Sequence, residues 1–317
     1  MVDLASTEKI RPIFIAGCPR SGTTMLGSML GGARGALVTP ESHFVAEVLL
    51  QVLGSKSGAP KLLDVIKALN NHFRYKLWQI KPVVAEDVEG IDVDNYASII
   101  LSLVVEYASV NGFDEPQIWI DHTPENVMNF SLLKQIFPRA KFVHLIRDPR
   151  AVAASLIPLD WGPFNVRDAS ILWAERLGYG FALEAAYPDD TVRVKYEDIV
   201  REPIKTMKTL CDFLKIDYVD QMVSGSSFLV PAYTRKQHAL VGSPPSGTRI
   251  DSWKNNLDCN QIYEIEKRLV SLMRYLDYDC DLNYSCHKSK SPTWHKLANQ
   301  LKIYFKKKRH RQRKKFL

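Results

Sequence analysis

The segment Pro12-Ile-Phe-Ile-Ala-Gly17-Cys-Pro-Arg20-Ser-Gly22-Thr23-Thr24-Met-Leu26 holds the residue types best suited to chemistry. An apolar run enters a loop bounded by Gly17 and Gly22 and leaves it as a helix. Backbone N–H groups of such a turn, and of the first helical residues, lack intrahelical partners and can converge on an anion. The helix dipole favours negative charge at the same place. Ser21, Thr23 and Thr24 add hydroxyl donors, and Arg20 can add a bidentate charged contact. The two glycines have Walker A spacing, but Thr23 stands where the lysine that reaches a nucleotide's β- and γ-phosphates is expected. The loop therefore suits a 5′-phosphosulfate as well as a polyphosphate, and the missing lysine argues against an ATPase or kinase.

A second anion grip follows the apolar run Lys141-Phe-Val-His-Leu-Ile146. Arg147 stands at its end, and Asp148-Pro149 marks a helix start. Ser155 lies eight residues beyond Arg147, about two helical turns on, and so shares its face. A guanidinium and a hydroxyl placed this way can hold one phosphate. Arg150 is equally compatible with assisting and with lying in solvent.

These side chains need a scaffold that brings strand ends together. Ile13 to Ala16, Ala36 to Val38, Gln117 to Asp121, Lys141 to Ile146 and Thr191 to Lys195 read as strands. Thr23 to Leu30, Phe44 to Leu53, Lys61 to Trp78, Tyr96 to Val110 and Ser131 to Phe137 read as helices. So do Ala151 to Leu156, Asp168 to Ala186, Ile204 to Leu214 and Gln261 to Leu276. The alternation predicts βαβ units and an α/β fold with a mostly parallel central sheet covered on both faces. Ligands of such sheets bind beyond the carboxyl ends of the strands. The first loop, Asp121, Arg147 and Tyr196 all follow strand ends. Residues 221–258 are rich in Ser, Gly and Pro and read as a long irregular binding segment.

With 46% hydrophobic residues in 317, the chain can bury a large core. No run of about 18 apolar residues occurs, and no apolar signal core precedes the first strand, so the expected setting is cytosol-facing. The five cysteines are odd in number and form no CxxC pair, which fits reduced thiols. The net charge of +7 is local. Residues 306–315 hold eight Lys or Arg, and without them 34 basic residues stand against 35 acidic ones. No nucleic-acid surface is expected of the body. The apolar spacing of Trp294, Leu297, Leu301, Tyr304 and Phe305, continued by the basic run, fits either a helix on an anionic membrane or a solvated tail. The expected organisation is a domain over 1–290 and a basic amphipathic tail over 291–317.

Taken together, the motifs resemble the sulfotransferases that use 3′-phosphoadenosine 5′-phosphosulfate (PAPS). Pro19-Arg-Ser-Gly-Thr-Thr24 is similar to their 5′-phosphosulfate loop, and Arg147 to Ser155 to their 3′-phosphate motif. Val194-Lys-Tyr-Glu-Asp198 resembles the segment whose tyrosine contacts the nucleoside, here Tyr196. Trp253-Lys254 resembles the closing C-terminal segment. The resemblance implies a P-loop NTPase-like three-layer sandwich and PAPS as co-substrate without a metal. Donor contacts would come from Arg20, Ser21, Gly22, Thr23, Thr24, Arg147, Ser155 and Tyr196.

The pattern is nearest the tyrosylprotein and bacterial branch, in which a glutamate after the first helix is the base. Glu41, 21 residues after Arg20, matches that spacing, and His43 is its rival. A carboxylate there can take the proton of an attacking hydroxyl. Two departures stand out. In Asp121-His122-Thr123-Pro124, His122 takes the place of a family lysine, so either His122 is catalytic or Arg20 carries the charge alone. Phe44 and Glu47 stand where the tyrosylprotein enzymes have arginines for acidic peptides. A carbohydrate, lipid or other hydroxyl acceptor is at least as plausible. A P-loop nucleotide or small-molecule kinase and a non-catalytic nucleotide-binding regulator are the alternatives.

Overall fold

The computed structural model describes residues 9–54, 62–84, 93–224 and 247–282. The proposed basic tail and most of the 221–258 segment lie outside them. Five strands, β1 (Arg11–Gly17), β2 (Ala36–Val38), β3 (Ile118–Asp121), β4 (Lys141–Ile146) and β5 (Thr191–Lys195), form one sheet. Its order is β2-β3-β1-β4-β5 and every pairing is parallel. Twelve helices lie in the described residues. The first six are α1 (Thr23–Leu30), α2 (Phe44–Leu53), α3 (Leu62–Asn71), α4 (Phe73–Lys76), α5 (Val93–Val110) and α6 (Phe130–Ile136). The others are α7 (Pro149–Leu156), α8 (Val166–Ala186), α9 (Tyr196–Arg201), α10 (Pro203–Leu214), α11 (Trp253–Asn256) and α12 (Cys259–Tyr275).

Strand β1 shows why the sheet is internal. Ile13, Phe14, Ile15 and Ala16 are all fully buried although their side chains alternate between faces. An all-parallel sheet requires this, because crossover helices cover both sides. Phe14 and Ala16 join a core with Phe44, Trp78, Tyr96, Trp119 and Phe142. Phe14 meets Trp119 edge-on at 5.6 Å and Phe44 meets Trp78 at 5.1 Å. The second of these contacts anchors α2, whose first turn follows the Glu41 segment.

The described residues fall into two compact units. One takes those within 9–17, 22–146 and 179–224 and contains the sheet. The other takes 18–21, 147–178 and 247–282 and contains α7, α11 and α12.

Two expectations are corrected. The helix expected over Lys61 to Trp78 is broken at His72, whose backbone is extended (φ −68°, ψ 128°). Its ring accepts the Arg74 N–H, so a side-chain cap starts the new helix α4. The cysteines are not all reduced thiols. Cys18, Cys211 and Cys280 are thiols, but Cys259, first residue of α12, is disulfide-bonded. An odd cysteine count leaves room for a bond that spacing does not reveal.

Candidate active site

In the sheet-bearing unit the site begins at Gly22. Gly22 caps α1 in the left-handed region (φ 103°), and its carbonyl accepts the first helical bond from Leu26. A Cβ there would stand 2.7 Å from Tyr196 Cδ2, so only glycine lets the loop close on that ring. Thr23 and Thr24, the first residues of α1, are buried. Gly22, the start of α1 and Tyr196 thus form one packed corner.

The segment carrying Glu41 is stapled to β3. Thr39 N–H donates to the Ile120 carbonyl (3.3 Å), and Trp119 Nε1–H to Thr39 Oγ1 (2.9 Å). Ser42 N–H donates to Thr123 Oγ1 (2.7 Å), while Ser42 Oγ donates to Asp121 Oδ2. Asp121 Oδ1 accepts the Thr123 N–H (2.7 Å). The role of Asp121 is therefore architectural: it ties the end of β3 to the residue after Glu41.

His122 is buried beside α1. Its Nδ1 lies 3.5 Å from Thr24 Oγ1, and a Cβ at Gly27 would approach the His122 Cβ to 3.1 Å. Burial pushes the His122 pKa below its ordinary value despite the carboxylates of Glu41 and Asp121. The neutral imidazole is therefore the form present near pH 7.

Glu41 is surrounded by cations. His43 Nε2 lies 3.1 Å and Arg74 Nη1 3.2 Å from the same oxygen, Oε2. Burial works to raise the Glu41 pKa. The hydrogen bond from His43 and the charges of His43 and Arg74 outweigh it and leave the carboxyl at about 2. Burial likewise works to lower His43, but Glu41, Glu47 and Glu125 raise it to about 10. The rival base His43 is thus a protonated partner of Glu41 and not a surface group. Glu47 also accepts from His72 (2.9 Å). Arg74 and His72 had no signal in the sequence, since both lie more than 30 residues from Glu41. Among the described residues no His, Cys, Asp and Glu group is arranged to hold a metal ion.

The second unit holds the residues of the other expected anion grip. Arg20 has a left-handed backbone (φ 70°), a conformation that costs a non-glycine residue about 1 kcal/mol or more. It turns the side chain so that Nε donates to Ser155 Oγ (3.1 Å). Arg147 donates from Nη1 to the Arg20 carbonyl (3.0 Å) and from Nη2 to the Arg249 carbonyl (3.1 Å). Trp173 Nε1–H donates to the Arg147 carbonyl (2.9 Å), a supporting contact not visible in the sequence. Ser21 Oγ is buried, with no hydrogen-bond partner among the described residues. An oxygen-rich anion in the loop would satisfy it, so the residues fit a bound phosphate or phosphosulfate.

Arg150 does not reach for an anion. Asp148 caps α7 and accepts the Arg150 N–H (2.8 Å), and its carboxylate also takes Arg150 Nη2 (2.6 Å). Nη1 binds the fully buried Glu266 of α12 (2.5 Å), and the guanidinium stacks 4.1 Å over Trp253 of α11. Arg150 is therefore a buried strut that ties α7 to the C-terminal helices.

The described fold is a parallel sheet with a glycine-capped helix start after β1 and a second helix start, led by Arg147, after β4. The sulfotransferase family's sequence model matches residues 12–220, and the chain belongs to that family. It is 28% identical over 220 residues to Protein-tyrosine sulfotransferase 1 of Danio rerio, covering 67% of this chain and 55% of the relative. Protein-tyrosine sulfotransferase A of Caenorhabditis elegans is 22% identical over 284 residues, covering 86% of this chain and 68% of the relative. The fold also matches the sulfotransferase domain of the Synechococcus PCC 7002 olefin synthase. The TM-score is 0.58 at 21% identity, over 86% of this chain and 96% of that one. The chain thus spans little more than half the length of the Danio rerio relative. These likenesses bear out the family and the P-loop NTPase-like fold.

Proposed function

We propose that this protein transfers the sulfuryl group of PAPS to a hydroxyl acceptor by in-line displacement. One observation carries the reading. An ionised Glu41 is held on a segment stapled to β3, in the same unit as the loop-helix start Gly22–Thr24, and His122 packs against Thr24. A base and an anion-binding helix start are the two parts such a transfer needs.

In this reading the acceptor oxygen attacks sulfur, and its proton passes to Glu41. The bond from sulfur to the 5′-phosphate oxygen breaks, leaving adenosine 3′,5′-bisphosphate. Arg20 and the loop amides offset the charge that moves onto the sulfuryl and leaving oxygens, and neutral His122 supplies a hydrogen bond. Arg147 and Ser155 hold the 3′-phosphate, Ser21, Thr23 and Thr24 the 5′ end, and Tyr196 the nucleoside. No residue in this scheme calls for a metal.

The relatives' names point to protein tyrosines as acceptors. The residues around Glu41 support a different emphasis, because Glu47 and Glu125 add negative charge and their neighbouring cations are already paired. An uncharged carbohydrate, lipid or peptide hydroxyl fits this surrounding better than an acidic peptide. The basic tail, acting at an anionic membrane from the cytosolic side, would favour lipid-linked acceptors. The test is transfer of labelled sulfate from PAPS to sugar, lipid and peptide panels. Glu41→Gln should keep donor binding and lose turnover by about 10²-fold or more. Near-normal turnover in that variant, or transfer of phosphate from ATP, would overturn the reading.

A further inference from the structure

Around Glu41 the described residues close a ring. The Arg74 guanidinium and His43 both contact Glu41 Oε2, at 3.2 and 3.1 Å. The other nitrogen of His43 faces Glu47 Oε1 (3.6 Å) and Glu125 Oε2 (3.8 Å). Glu47 Oε2 accepts from His72 Nε2 (2.9 Å), and His72 Nδ1 accepts the Arg74 N–H (3.2 Å). The ring therefore starts and ends at Arg74.

Protonation states follow from this geometry. His72 Nδ1 is an acceptor, so its proton sits on Nε2. Both nitrogens of His43 face carboxylates, which only the doubly protonated imidazolium suits. The two contacts of Arg74 and His43 with Glu41 both fall on one oxygen, Oε2. We propose that His43 and Arg74 are positioning residues for Glu41: they lock its carboxylate through Oε2 and leave Oε1 to receive the acceptor's proton. This rests on the reading of Glu41 as the base.

The titratable and charged groups facing this centre come from four elements. They are His43 and Glu47 at the start of α2, His72 and Arg74 around α4, His122 after β3, and Glu125 in the 3-10 turn Pro124–Val127. Removing His43 takes away a hydrogen bond and a charge that both hold Glu41 low. Its pKa should then rise toward the ordinary value near 4.5, which brings its protonation into an accessible pH range.

The experiment uses the full chain and four variants, Glu41→Gln, His43→Ala, His43→Gln and Arg74→Gln. Binding of adenosine 3′,5′-bisphosphate measured by calorimetry serves as the folding control. Expected for His43→Ala is a loss in kcat of about 10- to 100-fold, smaller than the roughly 10²- to 10⁴-fold of removing a positioned base itself. KM for PAPS should stay unchanged, and a new acid limb should appear in the kcat profile between pH 4 and 6. Arg74→Gln should move the same way. His43→Gln retains a donor for Oε2 and should recover most of the rate. If Glu41→Gln is inactive while His43→Ala keeps wild-type kcat and pH profile, the positioning role is wrong. Loss in His43→Ala with no new acid limb and no recovery in His43→Gln also overturns it. An active Glu41→Gln instead refutes the assignment of the base and leaves this measurement distinguishable from it.

Discussion

Arg20 Nε donates to Ser155 Oγ at 3.1 Å, which joins two motifs 135 residues apart in sequence. Arg147 completes the junction through the Arg20 carbonyl at 3.0 Å. The residues assigned to the two ends of the donor are thus in direct contact, and a change in one is felt by the other.

The first prediction concerns donor recognition. Arg147→Ala should weaken adenosine 3′,5′-bisphosphate binding by about 2–4 kcal/mol, as expected when a buried charge-assisted contact is removed. Ser155→Ala should cost less. Calorimetry with adenosine 5′-phosphosulfate, which lacks the 3′-phosphate, provides the comparison. Equal losses for both ligands would contradict the assignment of Arg147.

Stability should depend on pH through the ring at Glu41. Glu41 is depressed from 4.5 to about 2, so its contribution is present above about 4.5 and is lost as pH falls toward 2. His43 is raised from 6.5 to about 10, so its contribution is complete below about 6.5 and is lost as pH rises through 10. Thermal unfolding should show Tm falling between pH 6.5 and 10, with a shallower fall in His43→Gln. Identical slopes would show that His43 is not held as the cation.

The strut at Arg150 makes a third prediction. Glu266→Ala leaves a buried guanidinium facing an emptied site and should cost about 3–5 kcal/mol in urea unfolding. Glu266→Gln, which keeps an acceptor, should cost less. A loss below about 1 kcal/mol in Glu266→Ala would mean that Asp148 alone satisfies Arg150.

A fourth concerns the tail beyond the described residues. Eight basic residues in 306–315 should give salt-sensitive binding to anionic vesicles, about 1 kcal/mol for each residue near the surface. Deletion after Gln300 should abolish co-sedimentation and spare transfer to a soluble acceptor. No binding by the full chain at low salt would refute the idea.

Local signals in this sequence were strong where one cause acts. Ala36–Val38, Phe44–Leu53, Lys141–Ile146 and Thr191–Lys195 were read with their observed bounds, because apolar runs and turn residues agree there. The helix starts at Gly22 and at Asp148-Pro149 were legible because each lies on a short contiguous stretch. The break at His72 was not, since the apolar pattern continues through it and only the cap to Arg74 stops the helix. Arg74 itself was invisible as a neighbour of Glu41, because its stretch is brought back by ring contacts of Phe44 with His72, Tyr75 and Trp78. Arg150 was ambiguous for the same reason: its acceptor Glu266 lies 116 residues further on.

That separation has a meaning in time as well as in space. A chain made from its amino end exposes Arg150 and the capped start of α7 long before Trp253 and Glu266 exist. At typical synthesis speeds the wait is on the order of ten seconds. Throughout it the guanidinium has Asp148 but neither the ring nor the second carboxylate that cover it in the finished protein. The sheet's five strands are all complete by Lys195, so the Arg147–Arg150 cluster after β4, the expected anion grip, is among the last parts to mature. A nascent chain halted before α11 would carry a finished sheet and an unsupported grip.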